Sequence, residues 1–301
     1  MKDSHKPFPV IYGEFDPLAD TRPIQVRRPP RRRKSSAILF GLVLGLATAF
    51  YFFFPCRTNI LILGIDRSPE GTDLSRSDTM ILTTIIPLRP TIGMLSIPRD
   101  LWVQLPTGQN DRINTAHFYA ESLETGTGPE AAKQVVEKNF GVDVHHTIRF
   151  TFDGFKEFVD ALGGIPIHLD ESAAGYAPGD YVLNGEQALA FVRDRMGTDD
   201  FFRMSHGQLF MKAMVSHLIK PGNWVHLVGA IPSILTSVDT DVPIWLWPRI
   251  AVALLRAGPE GMDLRSISRE MVQGFTTVQG AQVLAPDWIM INPLLMEMFG
   301  Q

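Results

Sequence analysis

The sequence predicts a layered α/β domain carried on a single membrane-spanning helix. Three observations predict it. Residues 37–54 (AILFGLVLGLATAFYFFF) form an unbroken apolar run near the N-terminus. Beyond it, short apolar runs of strand length alternate with stretches of helical periodicity and no linker interrupts them. The chain holds one cysteine, so neither an internal disulfide nor a thiolate metal cluster is available and the core alone must hold the domain.

The apolar run comes first in the chain. At about 1.5 Å per residue, eighteen helical residues span roughly 27 Å, close to the hydrocarbon thickness of a bilayer. Arg31, Arg32, Arg33 and Lys34 precede it directly, with Arg27 and Arg28 upstream. Positive charge beside a span stays in the cytoplasm, so the N-terminus is expected inside and the chain beyond Arg57 outside. Ala47-Thr48-Ala49 offers a small-residue cleavage pattern, but it lies within the apolar run, where a signal peptidase site does not belong. We therefore read residues 1–36 as a disordered basic cytoplasmic tail and 37–55 as a transmembrane signal-anchor helix. Residues 57–301 are the extracytoplasmic domain. Cys56 lacks the small residues of a lipidation motif around it and is read as an ordinary interfacial residue.

Charge follows the same division. Residues 1–36 hold nine Lys/Arg and four Asp/Glu, a balance of +5, so the total of -4 leaves the remainder at -9. A body so acidic is a poor general binder of nucleic acid, which selects for a basic face. No helix-turn-helix pattern is visible, and the basic run is explained by topology.

Within the outer domain, residues 60–65 (ILILGI) suit a buried strand, followed by strands over 79–86 and 91–97. Residues 129–140 read as a helix entered through Gly-Pro. A strand over 148–152 leads to a helix over 155–162, closed by Gly163-Gly164, and a strand over 165–169. Helices follow over 185–193 and 200–219, the second stopped by Lys220-Pro221-Gly222. The C-terminal part adds a helix over 244–255 and a strand over 262–268.

Charged residues gather at the ends of these apolar strands, where loops at the edge of an α/β sheet collect ligand groups. They are Asp66, Asp78, Arg99, Arg112, Arg193, Arg195, Asp200 and Arg203. A strand-end arginine alone is more often a surface ion pair. Together the residues have a chemical logic, because guanidinium groups meet phosphate oxygens through paired, charge-assisted hydrogen bonds at any physiological pH. Carboxylates among them would hold a hard divalent cation, most plausibly magnesium, or act as base toward a hydroxyl. His145, His146, His206 and His217 have no ligand-like spacing, and neither a phosphate loop nor a nucleophile-elbow motif occurs.

Seven segments in order resemble the LytR–CpsA–Psr family: NILILGID (59–66), RSDTM (76–80), LSIPRD (95–100), RINTA (112–116), FVDALGGIP (158–166), LNGEQALAFVRDR (183–195) and DFFR (200–203). The resemblance implies a three-layer α/β/α sandwich with a central mixed sheet and a long apolar pocket for a polyprenyl tail. It implies a phosphotransferase moving a glycopolymer from a polyprenyl-pyrophosphate carrier to a cell-wall acceptor such as peptidoglycan, with magnesium as cofactor. By position, Asp66, Asp78 and Asp200 resemble the metal-site carboxylates. Asp78 and Arg99 resemble the catalytic pair, and Arg99, Arg112, Arg193, Arg195, Arg203 and Gln208 the pyrophosphate ligands. Arg112 stands where the family usually has Lys. After Arg203 the family usually shows Arg-Gln three residues on; here His206-Gly207 replace them, with Gln208 one place later. That departure keeps one alternative in view, a non-catalytic polyprenyl-phosphate binding protein. A pyrophosphate hydrolase on the same site is a further alternative, since it needs the same residues and differs only in acceptor.

Overall fold

The computed structural model describes residues 13, 34–54, 56–66, 76–87, 89, 91–194, 200–226, 229 and 238–300. The chain divides into two compact units, Met1–Ala47 and Thr48–Gln301. Nearly all of the expected tail, 1–33, lies outside the described residues but for Gly13. Helix α1 (Lys34–Phe53) is long and apolar enough to cross a membrane, and its apolar side chains are exposed over residues 37–50, with Tyr51 and Phe52 half-buried.

The strands of the outer unit, in chain order, are β1 (Thr58–Ile65), β2 (Ser77–Ile85), β3 (Ile92–Ser96), β4 (Trp102–Gln104), β5 (Asn110–Arg112), β6 (His146–Thr151), β7 (Ile165–Leu169), β8 (Gly179–Leu183), β9 (Val238–Thr240), β10 (Met262–Ser266), β11 (Val272–Thr276) and β12 (Gln282–Pro286). Its helices are α2 (Thr115–Leu123), α3 (Gly128–Phe140), α4 (Phe152–Ala161), α5 (Gly185–Arg193), α6 (Asp200–Leu218), α7 (Trp247–Ala257) and α8 (Trp288–Phe299).

Six strands make the central sheet in the order β10-β3-β2-β1-β6-β9. It is mixed: β1 runs parallel to β6 and β3 to β10, while the other pairings are antiparallel. Period-two alternation sorts the apolar side chains onto two faces. Leu61, Leu63, Met80, Leu82 and Leu95 pack against α3 and α8 on one face. Ile60, Ile81, Ile85, Ile92 and Met94 face α7 and Met211 of α6 on the other. The result is the expected three-layer sandwich. A third apolar cluster joins α4, α5, α6 and the β7–β8 hairpin through Val159, Ile165, Phe191 and Phe210.

Two of the sequence segments are knitted together here. Asn184 caps α5 by accepting from the Gln187 amide, while the Gln187 side chain accepts from the Asn184 amide. Asp160 of α4 accepts from the Gly185 amide at 2.7 Å. A Cβ at Gly185 would stand 2.3 Å from the Lys156 carbonyl oxygen, so only glycine lets α5 start this close to α4.

Several sequence boundaries shift. The helix expected over 244–255 begins at Trp247, because Ile244–Leu246 form a single 3-10 turn and Pro248 takes an early helical position. The strand expected to reach 268 ends at Ser266. The strand expected over 148–152 starts at His146 and ends at Thr151, where the Thr151 hydroxyl accepts from the Gly154 amide and caps α4. The strand expected over 165–169 is β7, whereas helices α2 and α8, the hairpins β4–β5 and β11–β12, and strands β8 and β9 were not among the expected elements.

Candidate active site

The parallel strands β1, β3 and β6 end at the same edge of the sheet, where β2 begins. Asp66 follows β1, Asp78 is the second residue of β2, and Arg99 lies three residues past β3. The β1–β2 register shifts between Gly64 and Ile65, and this bulge falls beside Asp78. Gly64 fits closely there: a Cβ would stand 3.1 Å from Thr79 Cβ and 3.3 Å from the Phe150 ring, so either neighbour would have to give way.

A cavity of about 340 Å³ opens at this edge, between the sheet and helices α5 and α6. Its body is apolar, walled by Ile81, Phe150, Phe155, Phe210 and Met211. Asp78, Ser96, Arg193 and Arg203 supply its polar groups. Apolar walls with a few convergent charges at one place suit an amphiphile whose head is anionic.

The charges around this cavity are paired. Arg99 Nη1 donates to Asp78 Oδ1 at 2.6 Å, and both side chains are largely buried. Arg99 Nε lies 3.5 Å from Asp100, whose other oxygen is 3.1 Å from Arg112 Nε. Asp100 therefore stands between two arginines. Arg112 also donates to the Gln282 carbonyl at 2.8 Å, tying the β4–β5 hairpin to β12. Arg193 Nη2 donates to Asp66 Oδ2 at 3.1 Å, and its guanidinium lies 4.5 Å from the Phe152 ring centroid. That contact orients the guanidinium by a cation–π attraction. Arg203, in the first turn of α6, is buried at the cavity wall.

Asp66, Asp78, Arg99, Arg193 and Arg203 thus converge on one edge of the sheet. Arg112 stands behind Arg99, linked through Asp100, and is absent from the cavity wall. Gln208 faces elsewhere: its amide donates to the Arg265 carbonyl at 2.8 Å and lies 3.4 Å from Ser96 Oγ. It fastens α6 to the edge of the sheet. Arg195 lies outside the described residues, as does the side chain of Asp200, whose backbone begins α6.

His206 is buried, its ring 5.4 Å from that of Phe191 between α6 and α5. Gly207 lines the cavity, and a Cβ built there meets nothing within 4 Å. The cavity is therefore wider where the family usually carries Gln. Of the other histidines named from the sequence, His145 accepts from the Asn59 amide at 3.0 Å, His146 lies 3.8 Å from Asp241, and His217 lies 3.3 Å from the Leu162 carbonyl.

Sequence reasoning missed Asp100 and Phe152. Asp100 stands in the quoted LSIPRD segment, but nothing in the sequence shows that it bridges Arg99 and Arg112. Among the described residues, no group of three or more His, Cys, Asp or Glu gathers closely enough to hold a metal by itself.

A model of the LytR_cpsA_psr family matches residues 56–288. The chain belongs to the LytR–CpsA–Psr family. Among its relatives is the polyisoprenyl-teichoic acid–peptidoglycan teichoic acid transferase TagU of Oceanobacillus iheyensis, 36% identical over 196 residues, which cover 61% of this chain and 59% of the relative. The TagU of Bacillus mycoides is 32% identical over 191 residues, covering 61% of this chain and 59% of the relative. The chain thus aligns with less than two thirds of the length of these curated relatives. Among solved structures, gbs0355 of Streptococcus agalactiae superposes with a TM-score of 0.68 at 19% identity, covering 84% of this chain and 91% of the other. TagV of Bacillus subtilis gives 0.64 at 24% identity, covering 81% and 97%. These superpositions establish the fold of this LytR–CpsA–Psr member.

Proposed function

We propose that the protein transfers a glycopolymer from a polyprenyl-pyrophosphate carrier to a hydroxyl of peptidoglycan or a related wall glycan. One observation carries the reading: a single cavity combines an apolar body with Asp78, Arg193 and Arg203 at its wall, beside the Asp78–Arg99 pair. The polyprenyl tail lies along Phe150, Phe155 and Phe210. Arg99, Arg193 and Arg203 hold the pyrophosphate, with Arg195 as a further candidate, and Arg112 supports Arg99 through Asp100. The names of the TagU relatives support this choice of donor and acceptor.

In the proposed step the acceptor hydroxyl oxygen bonds to the phosphorus on the glycan side. The bridging P–O bond breaks, and polyprenyl phosphate leaves with the bridging oxygen. The hydroxyl proton passes to a carboxylate at the site, with Asp78 the best placed. Arginines fixed before the donor arrives stabilise the charge that grows on the leaving phosphate at little reorganisation cost. Arg193, held by Asp66 and Phe152, is such a group.

The donor set fits magnesium, which is commonly held through one or two carboxylates plus substrate phosphates. Asp66 and Asp78 are hard oxygen donors at one edge of the sheet, and Asp200 is the third candidate. Bound there, the ion would neutralise charge on the pyrophosphate oxygens. The apolar helix α1 supports a single membrane span, and the basic run over 31–34 at its start supports an N-terminus in the cytoplasm with the domain outside.

Acceptor dependence tests the reading. With magnesium, a short polyprenyl-pyrophosphate sugar and peptidoglycan fragments, mass spectrometry should find the sugar phosphate joined to the fragment. Free sugar phosphate formed equally well without acceptor would favour hydrolysis. Bound donor with no product under either condition would favour a binding protein.

A further inference from the structure

The turn before α7 displays an apolar surface for which the cavity has no use. Val242 is buried and Leu246 packs inward, but Ile244 is 82% exposed, Trp245 67% and Trp247 37%. Large apolar side chains gathered on one surface mark an interaction site more often than isolated ones do. Its location identifies the partner. The Tyr51 hydroxyl donates to the Trp245 carbonyl. On α7, Arg249 donates to the carbonyls of Phe54 at 2.6 Å and Cys56 at 2.9 Å. Arg256 lies 5.2 Å from the Phe53 ring centroid and donates to the Pro87 carbonyl. Arg249 and Arg256 are seven residues apart, hence on one face of the helix, and both grip the stretch that leaves α1. Phe50 and Phe54 add exposed rings, 4.5 Å apart.

We propose that Ile244, Trp245 and Trp247 insert into the outer interface of the bilayer beside Phe50, Tyr51 and Phe54, docking the domain on the membrane. The inference rests on α1 being the membrane span and goes beyond it, since a span alone would leave the domain tethered but free to turn. Tryptophan suits headgroup depth because its ring is apolar and its indole N–H still finds a partner. Arg249 and Arg256 direct their charge to carbonyls and a ring, while Ile244, Trp245 and Trp247 stay exposed. Continuity with the cavity gives the docking a purpose. Ile81 and Met211 line the cavity and belong to the same apolar cluster as Leu246 and Ile250 beside the turn. An apolar body thus connects the membrane-facing turn with the pocket that would take a lipid tail.

The full chain carries the test. Its five tryptophans are Trp102, Trp224, Trp245, Trp247 and Trp288, and none lies in the span. The protein is reconstituted in phosphatidylglycerol–phosphatidylethanolamine vesicles with brominated acyl chains, which quench indoles within the bilayer. Quenching is expected in the wild type, lost for the most part in Trp245→Phe/Trp247→Phe and kept in Trp102→Phe/Trp288→Phe. Phenylalanine preserves the apolar surface, so folding and docking survive the change. Undiminished quenching in the first pair would overturn the proposal. So would a wild-type protein that resists carbonate extraction, proving the anchor, yet shows no quenching. If its indoles are then also shielded from iodide, the turn is covered by a second copy or another protein. Extraction by carbonate would instead refute the span itself, and the docking with it.

Discussion

Gly207→Leu separates the cavity's role from the fold. Position 207 lies within α6 at the cavity wall, and a Cβ there has no neighbour within 4 Å. The added side chain therefore starts in open space at the cavity wall. Replacing a helix-interior glycine by leucine removes a backbone penalty of about 0.8–1 kcal/mol, so the domain should be stabilised by about 1 kcal/mol. For a domain of this size that is a rise in Tm of about 2–4 °C. If a polyprenyl tail occupies the same space, it loses burial of about four methylene equivalents, at about 0.8 kcal/mol each. The sum is about 3 kcal/mol, or roughly 100-fold in affinity, since about 1.4 kcal/mol is tenfold. Thermal melting and titration with a short polyprenyl phosphate give the two readouts on one sample. A variant at least as stable as wild type that binds the lipid with unchanged affinity would refute the placement of the tail.

Further outcomes follow from the paired charges. Glu121 in α2 accepts from the Gly126 and Gly128 amides at 2.8 Å and lies 3.1 Å from Arg149. Burial alone would raise its carboxyl, but the two amides and the guanidinium outweigh it and hold the carboxyl below its ordinary value of 4.5. Its stabilising contribution is therefore complete above that value and drains away as pH falls past it and through the lower folded value. Glu121→Gln should blunt the acid loss of stability. By setting an amide N–H₂ against a backbone donor, it should also cost about 1–3 kcal/mol at neutral pH, read by denaturant melts at pH 7 and pH 3.5. Arg193→Lys keeps the charge beside Asp66 but loses the planar contact with Phe152, so donor affinity should fall about tenfold with the Tm little changed. Arg112→Ala removes the second arginine on Asp100 without opening the cavity, and should lower turnover more than donor binding, as steady-state kinetics would show.

The core of the fold was legible because period two and period 3.6 alternate cleanly in strands such as ILILGI and in α3, where the capping glycine and proline also agree. Helix α2 was not, because its buried residues include the polar His117 and Glu121, which meet Arg149 of a strand distant in sequence, with the amides of the following turn also on Glu121. Helix α8 is apolar on nearly every side and contains Pro293, so it has neither an amphipathic period nor an uninterrupted interior. The hairpins β4–β5 and β11–β12 and strand β8 have three to five residues per strand, too short for alternation to stand out, whereas the alternating IPIHL of β7 was legible. For the site, the resemblance located Asp78 and Arg99, but no sequence rule states that they pair, or that Asp66 holds Arg193. Gln208 shows the limit most plainly. One residue's displacement along α6 turns a side chain by about 100°, which separates it from Gly207 at the cavity wall. Gln208 bonds the Arg265 carbonyl instead.

The most direct test of the account is release of polyprenyl phosphate by the full chain in the presence of magnesium, a polyprenyl-pyrophosphate sugar and peptidoglycan fragments, comparing wild type with Asp78→Asn. The account predicts acceptor-stimulated release that chelation abolishes and that is lost in an Asp78→Asn protein melting within a few degrees of wild type. Undiminished release by that folded variant would contradict it.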